Sequence, residues 1–116
     1  MEEQSTLTKM ILSPELSGVY ISKSDLQAIA ASCGYSLQLQ ERKRMLVEIF
    51  ALVQGVDDFV RIIDAIEAFV HHKSNMYKSI AAEFPNSSET VNLFLKKIED
   101  CLCELEKAKE EASLIA

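Results

Sequence analysis

The stretch DDFVRIIDAIEAFVHHKSNMYKSIAAEF, residues 57–84, decides how the chain is read. At about 100° per residue, Phe59, Ile62, Ile63, Ile66, Phe69, Val70, Tyr77, Ile80 and Phe84 fall on one broad stripe of a helical wheel. Asp57 and Asp58 place negative charge and acceptors where a helix starts, and Pro85 stops continuation past Phe84. Ser74 and Asn75 are poor helix residues in mid-run, but the apolar phase carries across them, so one long helix is expected. A stripe this wide asks for helices beside it.

Outward from that stretch, the signals remain helical. Ser22 and Asp25 have capping-box spacing, Ile21 and Leu26 have the spacing of a hydrophobic staple, and Gly34 suits a helix end, so a first helix of about three turns spans 22–34. Leu39, Met45, Leu46, Ile49, Phe50 and Val53 then resume a helical period after a short connection, ending near Gln54 and Gly55. Beyond Pro85, Asn86 and Glu89 again have capping-box spacing. From there to Ser113, Val91, Phe94, Ile98, Cys101, Leu105, Ala108 and Ala112 step by three and four, as in a coiled-coil seam. Residues 1–21 carry Met10, Ile11, Leu12, Leu16 and Val19 without a sustained period, and include Pro14 and Gly18. Short connections make successive helices antiparallel neighbours. The expected fold is all-α: an up-and-down antiparallel four-helix bundle over 22–116 with a short first helix, preceded by a partly ordered N-terminal arm over 1–21.

Composition narrows the functional classes. The 116 residues suit one domain, 48% are apolar, and 3 Gly with 2 Pro favour helices over a turn-rich β fold. A formal charge of −6 disfavours nucleic acid, whose non-specific binding draws on surplus Lys and Arg. Ala30 and Gly34 touch the helix-turn-helix pattern, but Gln40 and Lys43 stand where its second helix needs apolar residues. The acidic start and the lack of a long apolar run point to a cytoplasmic chain with no membrane association. Cys33, Cys101 and Cys103 lack paired spacing, so reduced thiols are expected. Cys101 reads as core and Cys103 as solvent-facing.

Catalysis has little to stand on: no phosphate loop, nucleophile elbow, zinc motif or shared-face triad is present, so no enzyme, cofactor or metal site is expected. Asp64, Glu67 and His71 share one side of the long helix, opposite the apolar stripe, and read as a solvated charged face. Arg42 and Lys73 are different, because both sit near the centre of an apolar stripe, where a charge needs a partner, a route to water or a ligand. If the second and third helices form an antiparallel hairpin, both cations lie toward one end, offset by about 6 Å. They are candidate anion- or partner-binding residues.

Leu93 points away from the last helix's seam, and with Ile11, Leu12 and Leu16 of the arm it makes a candidate partner surface. The resulting expectation is a non-enzymatic protein-interaction module, an adaptor or specialised chaperone that binds a helix or loop of a partner protein. The alternatives are a self-associating structural protein, and a small-anion or carboxylate binder using Arg42 and Lys73.

Overall fold

A computed structural model describes the backbone of residues 2–115 and the side chains of 6–114. Among the described residues the chain forms six α-helices and no strand: α1 (Glu2–Leu12), α2 (Pro14–Ser17), α3 (Lys23–Ser32), α4 (Arg42–Leu52), α5 (Val56–Glu83) and α6 (Ser88–Ile115). Helices α5 and α6, of 28 residues each, run antiparallel through the single 3-10 turn Pro85–Ser87. At 1.5 Å per residue each is about 42 Å long, so the pair sets the 46 Å long axis of the molecule.

Local chemistry explains most of these boundaries. The capping box at α3 is formed: Asp25 N–H donates to Ser22 Oγ at 3.1 Å, and Ser22 N–H donates to Asp25 Oδ2 at 2.9 Å. Helix α5 passes unbroken through Ser74 and Asn75, and ends where Pro85 removes the next donor. At its start, the backbone N–H of Gln54, the hydroxyl of Tyr35 and the guanidinium of Arg61 all donate to the Asp58 carboxylate. Those bonds, the Gln54 amide first, hold that carboxyl below its ordinary value.

Two expectations need correction. The second helix begins at Arg42 rather than near Leu39, because residues 35–41 form a non-helical connection. Leu37 is buried and Gln27 Nε2 donates to the Leu37 carbonyl at 2.8 Å, which anchors the connection, whereas Leu39, counted in the helical period, is exposed. The helix order around the core also departs from a sequential up-and-down bundle. Helix α5 packs on α6, α6 on α1, α1 on α4, α4 on α3, and α3 back on α5, which closes a ring. The segment read as an arm therefore contributes a helix to the wall of the core between α4 and α6, and α4 and α5, consecutive in sequence, are not side by side. With α3 seated on α5 and α4 on α3, the inner side of α6 is left to the N-terminal segment, and both α1 and α2 pack on it.

The core enclosed by this ring contains Ile11, Val19, Ile21, Leu26, Ile29, Met45, Leu46, Ile49, Ile62, Ile63, Ile66, Ile98 and Leu105 among others. Helix α2 seats on α6 at Gly18, where a Cβ would come within 2.6 Å of the Phe94 carbonyl oxygen. Gly18 also has φ of 81°, so both close approach and backbone conformation call for glycine.

Candidate functional site

The side of α5 that is buried along its first half continues, uncovered, along its second. Ile62 and Ile80 are 18 residues apart, five full turns at 3.6 residues per turn, and so share one direction on the helix; Phe84, the residue that follows α5, stands one turn beyond Ile80. Yet Ile62 and Ile66 are 0% exposed, whereas Ile80 is 40% and Phe84 61% exposed. Helix α3 packs on α5, and α4 meets its start through Phe50, whose ring lies 6.0 Å from that of Phe59. Past Val70, the last fully buried apolar residue of α5, that cover is gone.

The uncovered surface runs from half-buried Phe69 and Lys73 through Met76 and Ile80 to Phe84. Its other edge is closed by α6, where the rings of Tyr77 and Phe94 lie 5.9 Å apart. Lys73 stands in the middle of this surface with its ammonium 5.5 Å from the centre of the Phe69 ring, and it makes no ion pair among the described residues. His72 and Glu83, both exposed, flank it. The surface is a row about 22 Å long, holding one cation with no ion pair among the described residues.

Arg42 is placed differently. As the first residue of α4, it donates from Nε to the Ile21 carbonyl at 2.6 Å and from Nη2 to the Leu12 carbonyl at 3.0 Å, while its guanidinium stacks 4.2 Å above the Tyr20 ring. It ties both ends of the α2 segment to α4. The antiparallel α4–α5 hairpin that put Arg42 and Lys73 at one end is not formed, and the two cations serve separate neighbours, the N-terminal carbonyls and the Phe69 ring.

The remaining sequence candidates separate too. Ile11 lies in the core and Leu12 is half-buried, which removes Ile11 from the outer surface; Leu16 is exposed. Leu93 is 62% exposed on the outer side of α6, away from α2, so the N-terminal segment does not cover it. Sequence reading missed Met76, Ile80 and Phe84 as a surface. The apolar stripe of α5 is visible in the sequence, but periodicity does not separate its covered half from its uncovered half.

The face around Asp64, Glu67 and His71 also requires correction. Glu67 is buried, because α6 lies along this side of α5, and Lys109 donates to Glu67 Oε1 at 2.6 Å and to Asp64 Oδ1 at 2.9 Å. Glu106 completes the group at 2.9 Å from the same ammonium. Burial raises the Glu67 carboxyl above its ordinary value, and the hydrogen bond from Lys109 holds Glu106 below its own. Asp64 and His71 both stay exposed, so only Glu67 departs from the solvated face. Cys101 is buried in the α6 seam, which pushes its thiol up to about 11, and Cys103 is exposed. Among the described residues no helix is long and apolar enough to cross a membrane, and no group of three metal-binding side chains is present.

No protein-family model, curated protein or solved structure matches this chain.

Proposed function

We propose that the protein is a non-enzymatic docking module, adaptor-like or chaperone-like, whose binding surface is the uncovered half of α5. The observation that carries this reading is an equivalence along that helix: Ile80 repeats the direction of Ile62, with Met76 before it and Phe84 after it exposed as well, but lacks the layer that buries Ile62. A row of apolar side chains at i, i+4 and i+8 is the surface an amphipathic helix lays its own apolar face against. Lys73, unpaired within that row, favours an occupant that brings an acceptor or an aromatic ring to it.

Site-specific photo-crosslinking in cells tests this directly. Benzoylphenylalanine at position 80 or 84 should give a discrete protein adduct, and the same group at Leu93, equally exposed on the outer side of α6, should not. Absence of an adduct at 80 and 84, or equal labelling at 93, overturns the reading.

A further inference from the structure

We infer that the occupant of the uncovered α5 surface is the same surface of a second copy, paired antiparallel across a two-fold axis at the level of residue 78. The inference rests on the docking reading above and gives it a partner. What distinguishes a second copy from any other helix is self-complementarity, which an isologous interface demands. Residues equally far on either side of level 78 meet across such an axis. Met76 and Ile80, two residues below and above, then face each other, so each of these two apolar side chains meets one on the partner.

The flanks of the row match as well. A two-fold axis perpendicular to both helices brings each flank against the same flank of the other copy. Glu83 and His72 lie on one flank, within about 20° of each other on the wheel, and five and six residues from level 78 on opposite sides. Each copy's carboxylate thus comes level with the other's imidazole, twice in the dimer. Toward the α6 edge of the row, Phe84 and Lys73 lie six and five residues from the same level on opposite sides. That places the phenyl ring of each copy beside the ammonium that has no carboxylate partner among the described residues of its own chain, in cation–π reach.

The shape of the molecule agrees with this pairing. The cover on α5 stops near Lys73 and the helix ends at Glu83, so the antiparallel arrangement sets the hairpin tip of one copy into the step of the other. Charge favours a second copy over an anionic membrane, since Glu83 and Glu89 stand at the tip beside Phe84 and would be repelled by acidic headgroups. Two helix stretches of this length bury less than the roughly 1,600 Å² of a standard interface, so a reversible dimer with a Kd of about 10–100 μM is expected.

Sedimentation velocity on the full chain across that concentration range should show a monomer–dimer equilibrium. Ile80→Asp should leave only monomer. Glu83→Lys should weaken the dimer about tenfold, because the pair occurs twice, and Glu83→Lys combined with His72→Glu should restore it. In a Cys103→Ser background, Met76→Cys mixed with Ile80→Cys should oxidise to a species of twice the 13.0 kDa chain mass, whereas Leu93→Cys should not. A chain monomeric up to about 1 mM, a dimer indifferent to Ile80→Asp, or a charge swap without rescue overturns the pairing. The photo-crosslinks separate the two proposals: an adduct at position 80 to a different protein from a monomeric chain keeps the docking surface and overturns self-pairing, and no adduct with a monomeric chain overturns both.

Discussion

The Lys109 ammonium lies 2.6 Å from Oε1 of Glu67, a carboxylate that α6 covers, and this contact joins the last third of α6 to the first half of α5. Asp64 and Glu106 share the same ammonium, so three carboxylates depend on one cation. In the folded chain the Glu67 carboxyl is raised from 4.5, so its proton is held more tightly than in the unfolded chain, and stability from this group falls as pH rises through the raised pKa. Glu106, lowered from 4.5, acts oppositely: its contribution is present above that value and lost as pH falls through the folded pKa. Lys109 is raised from 10.5, so its contribution is complete below that pH and lost only in strong alkali.

Lys109→Met should therefore cost about 1–3 kcal/mol at pH 7, because it leaves Glu67 buried beside other carboxylates with no cation. The loss should shrink as pH falls toward 4.5, where Glu67 takes up a proton, and Lys109→Met with Glu67→Leu should recover most of it. Urea denaturation at the two pH values checks this; a pH-independent loss would assign Lys109 a packing role only.

Arg42→Met should destabilise the fold by about 1–3 kcal/mol, since two carbonyls that now accept from a cation lose their donor. Arg42→Lys should rescue poorly, because a single ammonium cannot serve both carbonyls and stack on Tyr20. Hydrogen exchange should place the added protection loss in α1 and residues 13–21 first. Uniform loss over all helices would contradict a local tie.

Gly18 and Gly34 make a matched pair, with φ of 81° and 87°. Ala at 34 meets open space and should cost only the left-handed backbone penalty, about 1–2 kcal/mol. Ala at 18 meets the Phe94 carbonyl oxygen at 2.6 Å and should cost at least about 1–3 kcal/mol more, by pushing α2 off α6. Equal thermal shifts in the two variants would mean that the α2–α6 seat yields freely.

The two halves of α5 should answer the same substitution differently. Ile62→Ala removes a fully buried side chain and should cost about 2–5 kcal/mol. Ile80→Ala, at the same angle on the helix, should cost under about 1 kcal/mol when measured at concentrations that keep the chain monomeric. Comparable losses would show that the distal stripe is covered within one chain.

The sequence by itself determined the helices. Ser22 with Asp25, Pro85, and the apolar period of residues 57–84 are local signals, satisfied by backbone amides and side chains a few residues away, and the ends of α3, α5 and α6 follow from them. It also marked Arg42 and Lys73 as cations on apolar stripes that needed partners. What covers each stripe was decided only by tertiary structure. Periodicity states which side of a helix avoids water but carries no information on which element lies there, or how far along that element reaches. Residues 1–21 lacked a clean period because α1 and α2 are short and interrupted at Pro14 and Gly18, so their place in the wall between α4 and α6 was not legible. For the same reason Ile62 and Ile80 read alike in the sequence. The ends of α3 and α4 separate them in space, making one a core residue and the other a surface.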